Sequence, residues 1–140
     1  EDLIRFAWNR SRTWLLSSSQ PPPVAAATIA AIDVLETEPW HVKNLWRNTD
    51  YFKKAVQDLG FNTGMSQTPI IPIIVGESGK AKRLSDKLYE RGVFVVPIVY
   101  PMVARDQARI RVQMHAQLTT DELDKVIEAL TDIGRELEII

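Results

Sequence analysis

At 140 residues, with 45% hydrophobic and 25% charged positions, the chain has the length and composition of one soluble domain with a peripheral helical arm. Its formal net charge of −1 gives no electrostatic case for a nucleic-acid or anionic-membrane partner. It has no cysteine, which excludes disulfides, thiolate nucleophiles and zinc–thiolate sites.

Leu3, Ile4, Ala7 and Trp8 recur at helical spacing and predict a short first helix. An extended link is expected over residues 13–19. Pro21, Pro22 and Pro23 cannot sit inside a helix but suit its first turn. The helix that follows, over 24–35, has only Thr28 and Asp33 as polar residues, so burial nearly all round is expected. Thr37, Glu38 and Pro39 read as another helix start, with proline in the first turn. Val42, Leu45, Trp46, Phe52, Val56 and Leu59 mark one face of that helix down to Gly60, a C-terminal cap. Residues 70–75 predict a buried strand, and Pro69 and Pro72 argue for an edge position or a bulge. Ser78 is expected to cap a helix carried by Ala81, Leu84 and Leu88 and ended by Gly92. A second strand is expected over 93–99 and a third over 108–114. In the third, Ile110, Val112 and Met114 alternate with Arg109, Arg111 and Gln113, giving one apolar and one polar face. Thr119, Thr120, Asp121 and Glu122 fit a capping box. Leu123, Val126, Ile127, Leu130, Ile133 and Leu137 then form the core stripe of a last helix.

These elements compose an α+β fold, N-terminal helices followed by a β-α-β-β-α unit. A right-handed crossover makes the first two strands parallel. The third inserts between them, giving a three-stranded antiparallel sheet with helices on one face. The other face needs a cover, from the N-terminal helices or from a partner. The expected organisation is a single domain over 1–140, with a helical part at 1–64 and the core at 65–140. No apolar run approaches the roughly 18–20 residues of a membrane span. The N-terminus lacks the pattern of a signal peptide, so a cytoplasmic location is expected.

Several segments carry a family resemblance. They are NRSRTWLLSSSQPPPVAAATIAAIDVL (9–35), LWRNTDYFKKAVQDLGFNTG (45–64), TPIIPIIVG (68–76), GVFVVPIVYPMVARDQARIRVQMHAQLT (92–119) and the tail RELEII. In this order they resemble the C-terminal small domain of the α-oxoamine synthases, and most nearly the glycine C-acetyltransferase (2-amino-3-ketobutyrate CoA ligase) type. These are pyridoxal-phosphate (PLP) enzymes that condense an amino acid with an acyl-CoA. The resemblance implies the small domain of a fold-type I PLP enzyme and a homodimeric parent.

Two positions are candidate binding residues. Arg111 matches the second arginine of the family's R-x-R strand, which binds the substrate amino acid's carboxylate. An arginine fork on a rigid strand suits that role. The alternative is a solvated strand arginine paired with a nearby carboxylate. Ser18 matches the middle of the family's S-T-S triplet, which reaches the cofactor phosphate of the neighbouring subunit. The alternative is a polar linker before a proline-capped helix. His41 and His115 have no further ligand residues near them in sequence, and no metal site is expected.

The chain also departs from the family. PLP catalysis needs a Schiff-base lysine and an acidic partner for the pyridine nitrogen, and in the family both precede the segment matched here. Lys43, Lys53, Lys54, Lys80, Lys82, Lys87 and Lys125 occupy polar helix contexts, and none matches the cofactor motif. The family's T-x-P-R-G link reads Met102-Val103-Ala104-Arg105-Asp106, and its S-A-A-H-T reads His115-Ala116-Gln117-Leu118-Thr119. The first reading is therefore an engineered, isolated small domain with no catalytic residues, no cofactor and no partner required, and no activity on its own. The alternatives are a natural or split fragment of an active glycine C-acetyltransferase-like enzyme, and an unrelated small-ligand-binding α+β module.

Overall fold

A computed structural model describes residues 1–140, the side chain of Leu15 excepted. It divides into two compact units, Glu1–Pro39 and Trp40–Ile140. The boundary thus falls well before 64/65, and the helix that follows it belongs with the sheet.

The first unit holds α1 (Asp2–Arg10), α2 (Arg12–Leu15) and α3 (Pro22–Thr37). Ser11 ends α1 and caps α2, its side chain accepting from the Trp14 backbone N–H. The expected extended link is therefore helical as far as Leu15. The Trp8 and Trp14 rings stack 6.5 Å apart. Pro22 and Pro23 open the first turn of α3, as their missing N–H groups allow. Contrary to the expected burial of α3, none of its residues is buried, and Ile29 is 62% exposed. Among its described side chains this unit has no core of its own.

The second unit runs α4 (Trp40–Asp58), β1 (Ile70–Gly76), α5 (Ser78–Glu90), β2 (Val96–Ile98), β3 (Ala108–Gln113) and α6 (Thr120–Glu136). The sheet order is β1-β3-β2, with β3 antiparallel to both neighbours. The predicted insertion of the third strand is what the sheet shows. β1 is an edge strand, and its register slips between Ile74 and Gly76, where Gly76 has a φ of 89°. β2 is shorter than expected for a tertiary reason. The Ser85 hydroxyl donates to the Val95 carbonyl at 2.8 Å, and the Val93 N–H donates to the Leu88 carbonyl at the end of α5. The chain is thus held to α5 until Val96. Ser78 is the first helical residue of α5, and Glu77 takes the expected cap position without a side-chain bond. At α6 the capping box forms between Thr119 and Glu122.

Helices cover one face of the sheet. Ile71, Ile73, Ile110 and Val112 meet Phe52 and Val56 of α4, Leu84 and Leu88 of α5, and Leu123, Leu130 and Ile133 of α6 in one buried cluster. Each such side chain contributes roughly 1.5–3 kcal/mol by burial, so this cluster dominates the stability of the unit.

Candidate functional site: an arginine-bearing sheet face

No element of the second unit covers the opposite sheet face. Residues directly opposite in an antiparallel pair share a face. Arg111 lies between Pro72 of β1 and Val96 of β2, and Arg109 between Ile74 and Ile98. Ile70 lies opposite Gln113. The face is therefore apolar on both edges with two arginines along the middle strand. Together with Met65, Met102 and Val103 it bounds a shallow cavity of about 560 Å³.

The two arginines differ. Arg109 donates from Nε to the Gln107 carbonyl at 3.0 Å, which fixes it along its own strand. The Arg111 side chain is exposed and makes no hydrogen bond or ion pair with another described residue. The alternative of a strand arginine paired with a neighbouring carboxylate is not what the structure shows. A planar, unpaired fork between apolar neighbours can take a carboxylate through two parallel hydrogen bonds.

Ser18 lies in the other unit. It has a φ of 60°, and Ser19 one of 65°, so the chain turns sharply there. The Ser17 hydroxyl donates to the Trp14 carbonyl, and the Ser19 N–H donates to the Ser17 hydroxyl. Ser11, Thr13, Trp14, Ser17, Ser19 and Gln20 line a hollow beside this turn, and Ser18 is not among them. Ser18 and Arg111 thus belong to different units.

The open sheet face lacks the groups that PLP needs. No lysine and no carboxylate lines the Arg111 face among the described residues. Lys53 donates to the Ser66 carbonyl, Lys80 to the Glu138 carbonyl, and Lys54 and Lys87 pair with Asp58 and Glu136. The face fits a carboxylate; by itself it does not fit the cofactor. Nor is any group of three or more His, Asp or Glu placed to hold a metal ion among the described residues. None of their helices is long and apolar enough to cross a membrane.

The apolar second face agrees with the expected need for a cover, since Ile70, Ile71, Pro72, Ile73 and Ile74 of β1 are apolar without alternation. One feature escaped the sequence reading: Asn48, buried on α4, whose amide donates to the His115 and Leu118 carbonyls at 3.2 and 2.8 Å. It ties the β3–α6 connection to α4. Its signal was a polar residue between Leu45 and Phe52 on the core stripe.

The fold is that of the small α+β domain of a fold-type I PLP enzyme. It superimposes on serine palmitoyltransferase of Sphingomonas wittichii with a TM-score of 0.86 at 22% identity, over 98% of this chain and 35% of that one. It superimposes on 8-amino-7-oxononanoate synthase of Francisella tularensis with a TM-score of 0.79 at 24% identity, over 99% of this chain and 39% of that one.

The chain belongs to the class I and II aminotransferase family, whose model matches residues 1–130. Among curated relatives it is 47% identical over 138 residues to 8-amino-7-oxononanoate synthase of Symbiobacterium thermophilum, covering 99% of this chain and 35% of the relative. It is 45% identical over 132 residues to an enzyme of Thermus thermophilus named both 8-amino-7-oxononanoate synthase and 2-amino-3-ketobutyrate coenzyme A ligase, covering 94% and 33%. The chain thus spans about a third of the length of these relatives.

The relatives named here are 8-amino-7-oxononanoate synthases, one of them also named 2-amino-3-ketobutyrate coenzyme A ligase, rather than glycine C-acetyltransferases alone. They fit the α-oxoamine synthase resemblance and overturn the reading of an unrelated ligand module. They are consistent with a natural fragment. They do not support the narrower readings of a C-terminal placement or an engineered origin.

Proposed function

We propose that this chain is the substrate-carboxylate-binding portion of a PLP-dependent acyl-CoA:amino acid C-acyltransferase of the 8-amino-7-oxononanoate synthase type. The observation that carries the reading is Arg111, unpaired at the middle of an apolar sheet face in a chain of this family. Arg111 would take the amino-acid carboxylate, with Pro72 and Val96 keeping water from the fork. Ser18 would contact the cofactor phosphate in the whole, self-associated enzyme. Alone, the chain would be inactive and would hold no PLP as an aldimine, because none of its lysines matches the family's cofactor motif and the open sheet face carries none.

The test is a chimera in which this chain replaces the matching third of the Symbiobacterium thermophilum relative. Hydrogen bonds to a charged group contribute about 1.5–3 kcal/mol. Arg111→Ala in the active chimera should therefore lower kcat/KM for the amino acid roughly 10- to 150-fold, with the acyl-CoA KM unchanged. Equal kcat/KM in the two chimeras would reject the role of Arg111. For the isolated chain, incubation with PLP followed by borohydride reduction should leave no stoichiometric adduct at a single lysine. Such an adduct in the mass spectrum would overturn the inactive reading.

A further inference from the structure

A second cavity, of about 530 Å³, lies between β3, the segment entering β2, and the first turns of α6. Its size falls within the roughly 300–1,000 Å³ of small-molecule pockets. Val93, Val95, Met114, Leu118 and Val126 line it, with the fully buried Phe52. This lining is largely apolar and draws on α4, β2, β3 and α6, so the cavity is more than a helix terminus.

The charges around it are unequal. Arg91, Arg111, His115, Glu122 and Lys125 border the cavity. Arg91 is engaged by Asp132 at 2.7 Å. Glu122 is the only carboxylate in the lining, and it accepts from the Thr119 N–H and hydroxyl, each at 2.8 Å. The Arg111 guanidinium makes no hydrogen bond or ion pair with another described side chain, and Lys125 makes no direct one, though its charge lies near enough to Glu122 to help hold that carboxyl low. Two cations thus stand over an apolar hollow whose single carboxylate already caps a helix.

We propose that this cavity binds a small amphiphilic monoanion, an apolar body carrying one carboxylate or equivalent group. The body lies against Val95 and Val126, and Lys125 receives the charge. Arg111 borders both cavities, so Lys125 and Val126 are the residues that distinguish this site from the open sheet face. The proposal does not depend on the function proposed above.

The test uses octanoate and octan-1-ol as probes of the full chain, followed by amide chemical shifts. Octanoate should give saturable shifts at Val93, Val95, Leu118 and Val126, and octan-1-ol markedly weaker ones. Val126→Trp, which fills the hollow, should abolish them. Lys125→Ala should weaken octanoate about two- to fivefold, the scale of one exposed ion pair. The absence of saturable shifts would overturn the proposal, as would equal binding of the alcohol. Shifts centred on α3 or on Ile70, Ile74 and Met102 would place the anion elsewhere and also overturn it. Should Val126→Trp lose its dispersed spectrum, Lys125→Ala decides alone: an unchanged dissociation constant rejects the site.

Discussion

Gly134 lies where a β-carbon would come within 2.6 Å of Phe61 Cζ and 3.2 Å of Ile140 Cγ1. Both Gly134 and Phe61 are buried, so the ring has little room to retreat. Gly134→Ala should cost about 1–3 kcal/mol, the range for overpacking. An unchanged urea midpoint would show that the ring yields freely. Glu122 illustrates a polar residue of the same kind of local importance. Hydrogen bonding from the Thr119 N–H, and then from its hydroxyl, holds the carboxyl below its ordinary value near 4.5. A depressed carboxyl stabilises the fold above its unfolded pKa, and the contribution disappears as pH falls through the folded value. The stability gap between the native chain and Glu122→Gln should therefore be open at pH 7 and narrow as the pH falls below the ordinary carboxylate range. A gap independent of pH would mean that the charge of Glu122 does not contribute.

At the scale of elements, α6 was legible because its signals are local. The Thr119–Glu122 box and the stripe from Leu123 to Ile133 lie within one stretch of chain, and both appear in the structure. Leu130, at 1% exposure, is central to that stripe. Leu130→Ala should cost roughly 2–5 kcal/mol, and a loss below about 0.5 kcal/mol in equilibrium unfolding would place the residue at the surface. β3 was legible for the same reason, through its period of two. α3 and β2 were not. Apolar composition tells that α3 favours burial, but burial also needs an opposing layer, and none of its residues is buried. β2 loses Val93 and Val95 to hydrogen bonds with α5, partners that no strand pattern encodes. The candidate site divides likewise. Arg111 was marked by alternation and family resemblance. Its freedom from carboxylate partners depends on a sheet register that only the fold sets.

At the scale of the molecule, the buried apolar core runs from Phe52 to Ile133 and lies wholly in the second unit. Residues 40–140 alone should thus unfold in one cooperative transition. Coincident circular-dichroism and tryptophan-fluorescence curves would show it, and separated midpoints would contradict it. The sheet order carries a consequence for how that unit is made. β3 is central yet is the last strand in the chain, so β1 and β2 have no sheet partner until β3 arrives. During synthesis at about 5–20 residues per second, both waiting strands leave the ribosome with bare backbone edges. The growing chain is then most open to misassociation after Ile98 has emerged and before Gln113 has followed. A nascent chain halted inside that interval would present two strands in search of the same partner.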